Sequence, residues 1–161
     1  MKKNIDFGKN AMQQNTRREV MVRLNNRKLK VILENTEQVI NHLDFDLEQY
    51  EELDGRKKEM CARTIRNDIA DIFKNLEDYL ALVLKKIGVF VNDKSFKDCI
   101  NLALDKQLLH DEFGKYIIDK IKIRNFFSYR YNYPKTEELI KVYKGHEDLF
   151  KGHISFKMTL F

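Results

Sequence analysis

Between Ile65 and Ile87 an apolar residue recurs every three or four positions: Ile65, Ile69, Ile72, Phe73, Leu76, Leu80, Val83, Leu84 and Ile87. That spacing follows the 3.6-residue turn of an α-helix and rules out a strand, whose faces alternate with a period of two. A broad stripe of roughly six turns must be covered by other elements along its length. A second stripe precedes it, with Leu29, Ile32, Val39, Leu43, Leu47 and Tyr50 at helical steps. It starts from about Thr16, and Asp54-Gly55 separates the two while Gly88 stops the later one. Two long amphipathic helices joined by a tight turn constrain the chain to an all-α bundle.

The rest of the chain supplies the cover. Val89 to Val91 is apolar but has no second strand to pair with, so it is a buried connector. Ser95 is placed to cap a short helix carrying Phe96, Cys99, Ile100, Leu102 and Ala103. A fourth helix is predicted from about Asp111, with Ile117, Ile118, Ile121, Ile123 and Phe127 on its apolar side. It should end near Tyr131 to Tyr133, because Pro134, the only proline, disfavours helical angles in the residue before it. Thr136 is the expected cap of a last helix, with Glu137 and Glu138 in its first turn and apolar contacts from Leu139 to Phe156. The sum is a single-domain bundle of about five helices over residues 16–161, behind a loose basic arm over residues 1–15.

Composition narrows the class. The 161 residues are 43% hydrophobic and 34% charged, which suits one folded domain with its own core. The longest apolar runs, Leu80 to Leu84 and Val89 to Val91, fall far short of the roughly 20 residues that span a bilayer. The N-terminus lacks the apolar core of a signal peptide. Cys61 and Cys99 have no metal-ligand spacing and are expected as free buried thiols, which points to a cytoplasmic protein. Charge is segregated: residues 1–30 hold nine Lys/Arg against two acids, and residues 31–54 hold eight acids with no Lys/Arg. These blocks suit solvated helix faces, a basic arm of one subunit docking on the acidic segment of another, or a basic arm touching RNA phosphates.

One stretch carries chemistry. Ile123-Arg124-Asn125-Phe126-Phe127-Ser128-Tyr129-Arg130-Tyr131-Asn132-Tyr133-Pro134 gathers two arginines, two asparagines and three tyrosines behind an amphipathic run. It resembles the signature R-N-x-x-x-H-x-Y of HEPN-domain proteins of the HepT type, which lies late in a helical bundle before the last helix. Arg124, Asn125 and Tyr131 match, and Tyr129 stands where that family has its catalytic histidine. The resemblance covers roughly residues 28–156. It implies a HEPN-like homodimer, an RNA substrate cleaved without a metal, and a nucleotidyltransferase antitoxin as partner. It also implies that Arg124 and Arg130 meet RNA, that Arg124, Asn125 and residue 129 form the catalytic set, and that Tyr131 is the residue modified with AMP. Metal-free cleavage needs a base for the 2′-hydroxyl and a cation for the phosphate. Arg124 suits the second role. Tyr129 is a poor base, since an unperturbed tyrosine has a pKa of about 10 and is almost wholly protonated at neutral pH. On a regular helix Arg124 and Tyr129 lie roughly 140° apart, so a shared site needs a distorted helix or a second subunit.

A plainer reading stands beside this one. Phe126, Phe127, Tyr129, Tyr131 and Tyr133 also suit core and dimer packing, with Arg124 and Arg130 paired to acids such as Asp68 or Asp71. His146 and His153, on the last helix, read as surface or interface residues. His42 sits beside Asp44 and Asp46 but lacks a second ligand set in the sequence, so no metal is expected. No P-loop, G-x-G-x-x-G or H-E-x-x-H occurs, and no cofactor is expected. Ser128 lacks a histidine base in register. The expected function is a HepT-like member of a bacterial toxin–antitoxin or defence module that engages RNA, with ribonuclease activity weakened or lost. The alternative is a non-catalytic helical dimerisation or protein-interaction module.

Overall fold

A computed structural model describes the backbone of residues 7–127 and 134–158, with side chains over 26–127 and 134–152. The architecture is an all-α bundle. Its described elements are α1 (Phe7–Tyr50), α2 (Gly55–Lys86), α3 (Phe96–Asp105), α4 (Asp111–Asp119), α5 (Ile121–Phe126), α6 (Thr136–Lys144) and α7 (Glu147–Met158).

The two stripes become α1 and α2. Contacts between them pair early positions of one with late positions of the other. Lys86 Nζ reaches Asn26 at 2.6 Å, His42 reaches Asp68 at 2.8 Å, and Cys61 Sγ donates to the Asp46 carbonyl at 3.6 Å. The helices are therefore antiparallel. Gly55 takes φ +49° where α2 begins, a left-handed angle that costs glycine little and other residues more. Leu29, Leu43, Ile65, Leu80 and Leu84 are wholly enclosed between these helices and their cover. Helix α1 starts at Phe7, ahead of Thr16, so the boundary drawn at residue 15 falls within a helix.

The shorter helices close the core. Ser95 caps α3 as expected, in a reciprocal capping box with Asp98: its Oγ accepts from the Asp98 amide at 3.2 Å while the Asp98 carboxylate accepts from the Ser95 amide at 3.1 Å. Phe150 on α7 sits among Phe73, Phe113, Tyr116 and Tyr143, with ring centroids 5.2–6.4 Å away, and so joins α2, α4, α6 and α7.

Five expectations are corrected. Val89 to Val91 is not a buried connector: Phe90 is 74% exposed, and Val89 and Val91 are only partly buried. The helix from Asp111 does not run on to Tyr131: Lys120, at φ −93° and ψ 7°, breaks the ladder between α4 and α5, and α5 ends at Phe126. Helix α4 buries Phe113, Gly114, Tyr116 and Ile117 whereas α5 buries no residue fully, so the two segments have different packing needs. The last helix is likewise two: Gly145 closes α6, and His146 bonds back to Tyr143 in a tighter turn before α7. Thr136 is not the cap of α6. It lies one residue inside, buried, and its hydroxyl accepts from Arg66 Nη1 at 2.9 Å. Cys99 is buried as expected, but Cys61 is only partly so. No helix among the described residues is long and apolar enough to cross a membrane.

Candidate functional site

Helix α5 is a six-residue segment lying against α2, with Ile121 and Ile123 partly buried on the core. Those contacts fix its rotation and place Arg124 and Asn125 near its C-terminal end. Arg124 is about one-third exposed and turns toward α2. Its Nε and Nη2 both donate to one oxygen of Glu77, at 3.1 and 2.5 Å. Its Nη1 makes a long 3.5 Å contact to Asn125 Oδ1. The matched Arg-Asn pair therefore sits together, with the guanidinium already holding a carboxylate from its own chain.

Glu77 was not among the partners legible beforehand. Asp68 and Asp71 were the acids expected to meet Arg124, and Asp68 instead binds His42. Asp68 and Glu77 are nine positions apart on α2, about 14 Å along its axis and half a turn round it. Sequence supplies several acids on one helix but not the register of a short helix crossing it. Phe126 is exposed at 38%, whereas Phe127 packs partly on the core. Tyr129, Arg130 and Tyr131, like Ser128 and Tyr133, lie outside the described residues, as does the His153 side chain.

A carboxylate doubly bonded to an arginine changes what that arginine can do. The pair is close to neutral, so an incoming phosphate must displace Glu77 or share the guanidinium with it. An exposed or half-exposed pair of this kind contributes at most about 1 kcal/mol to folding, so exchange of the carboxylate for a phosphate costs little. Arginine's planar fork suits either anion.

The other histidines fall in separate places. His110 is the residue before α4. His146 stacks on Tyr116 with centroids 3.7 Å apart, and its Nδ1 is buried without a partner among the described residues. His42 is different. It lies on α1 four residues before Asp46, hence on the same face, and Asp68 reaches it from α2. One ligand atom from each of His42, Asp46 and Asp68 lies within 4.8 Å of the others. The second ligand set absent from the local sequence is thus supplied across the helix hairpin. Asp44, the other acid beside His42 in sequence, faces elsewhere: it accepts from Tyr143 Oη at 2.9 Å and pairs with Lys151 at 2.7 Å.

Electrostatics agree with this placement. The hydrogen bond to Asp68, then its charge, holds the His42 imidazole above its ordinary pKa. Burial raises the Asp68 carboxyl, with His42 opposing and the charges of Asp46 and Asp71 adding to the rise. Burial pushes both thiols, Cys61 and Cys99, above their ordinary pKa.

Comparison with known proteins returned no matching family model, curated protein or solved structure.

Proposed function

We propose that the chain is a HepT-like HEPN protein of a toxin–antitoxin or defence module, engaging RNA through the Arg124 region with ribonuclease activity weakened or lost. The observation that carries this reading is the adjacent, partly exposed Arg124–Asn125 pair at the end of α5, immediately before the remaining motif residues. Two features account for weak catalysis. Tyr129 cannot act as the imidazole base, and Glu77 competes for the guanidinium that would hold the scissile phosphate. In this reading the active assembly is a homodimer, the partner is a nucleotidyltransferase, and Tyr131 is the modified residue.

The Glu77 pair also favours a second reading, a non-catalytic helical interaction module in which Arg124 is a packing and pairing residue. Metal-free RNA cleavage in EDTA separates the two. Under the first, the native chain is weak or silent, Tyr129→His gains cleavage, and Tyr129→His with Glu77→Gln gains more. Arg124→Ala in the Tyr129→His background abolishes it. Silence of every variant, together with RNA affinity unchanged by Arg124→Ala, rejects the RNA-engaging reading and leaves the interaction module.

A further inference from the structure

We infer that His42, Asp46 and Asp68 form a divalent transition-metal site that braces α1 to α2. The donor set is one imidazole and two carboxylates, which suits Zn²⁺ among the first-row cations. His42 and Asp46 project from one face of α1 and Asp68 completes the set from α2, an arrangement by which helical bundles build metal centres from facing helices.

The spacing is close to what the ion demands. Metal–ligand bonds of about 2.0–2.2 Å place tetrahedral ligand atoms about 3.3 Å apart. Here His42 Nδ1 and Asp68 Oδ2 stand 2.8 Å apart, and no pair in the set exceeds 4.8 Å. The first distance must open and the longest must close, both by rotation of side chains. His42 can move, its side chain being 57% exposed, while Asp68, 13% exposed, is the fixed wall of the site.

Charge supports the same assignment. Among the described residues neither Asp46 nor Asp68 pairs with a lysine or arginine, and Asp71 adds a further negative charge near Asp68. Three protein ligands would leave a fourth position for water. The site lies half a turn round α2 from the Arg124–Glu77 pair, so its fate is independent of the RNA-engaging reading.

The test is titration of the full chain with Zn²⁺ by calorimetry, paired with Co²⁺ substitution read by visible absorption. The expected result is one saturable Zn²⁺ per chain and a Co²⁺ spectrum free of thiolate charge-transfer bands. His42→Ala and Asp68→Asn should each weaken binding more than about tenfold, and His110→Ala should leave it unchanged. Circular dichroism confirms that each variant keeps its helix content; His42 is exposed, so His42→Ala decides the matter if Asp68→Asn unfolds. Absence of saturable binding, affinity unaltered in His42→Ala, or a thiolate band pointing to Cys61 overturns the assignment.

Discussion

His42 shows how one contact sets a pH response. Its imidazolium Nδ1–H donates to Asp68 and is favoured over the neutral ring, so its folded pKa lies above the ordinary value of about 6.5. A base whose folded pKa is raised stabilises the fold below its unfolded pKa and loses that contribution as pH climbs through the folded value. His42→Gln keeps a hydrogen-bonding side chain but cannot charge. In metal-free buffer, the stability gap between the native chain and His42→Gln should therefore be largest near pH 5.5 and shrink toward pH 8.5, as read by urea denaturation. A gap that widens with pH would show that Asp68 does not hold the proton. At this scale the sequence was legible where a rule is local. Ser95 capped α3 because its partner lies three residues on, whereas Thr136 was drawn away from capping by Arg66, seventy positions distant. His42 with Asp46 was visible as a pair, but Asp68 could join them only through the register of two helices.

Among the elements, the stripes of α1 and α2 were readable because each spans many turns and burial enforces the period. The breaks at Lys120 and near His146 were not. No proline marks either, and Gly145 alone gave a signal that helical patterns often override. Short helices depend more on their ends than long ones do, because a larger share of their backbone donors lacks an internal partner. Helix α3, at ten residues, is such a case. Ser95→Ala should cost about 1 kcal/mol of global stability in chemical denaturation. A cost near zero would mean that Phe96, Cys99, Ile100 and Ala103 hold α3 in place by packing alone.

For the whole molecule the all-α bundle followed from the sequence, while the way its last third closes did not. Phe150 is the keystone of that closure, 3% exposed and in ring contact with residues of three other helices. Phe150→Ala should lower stability by about 3–5 kcal/mol, through lost transfer energy and an unfilled cavity. The unfolding should stay a single transition by both fluorescence and far-UV circular dichroism. Two transitions would show that the α1–α2 hairpin holds together without α6 and α7.

The bond from Tyr143 to Asp44 spans 99 residues of chain. On a ribosome adding about 5–20 residues each second, Asp44 joins the chain some 5–20 s before Tyr143 does. Through that interval the nascent hairpin must show water the apolar flank that α6 and α7 later cover, including Phe73 and Leu76. The pairing of α1 with α2 is local and quick, but burial of that flank waits on translation. For those seconds the half-made protein is a natural client for a chaperone.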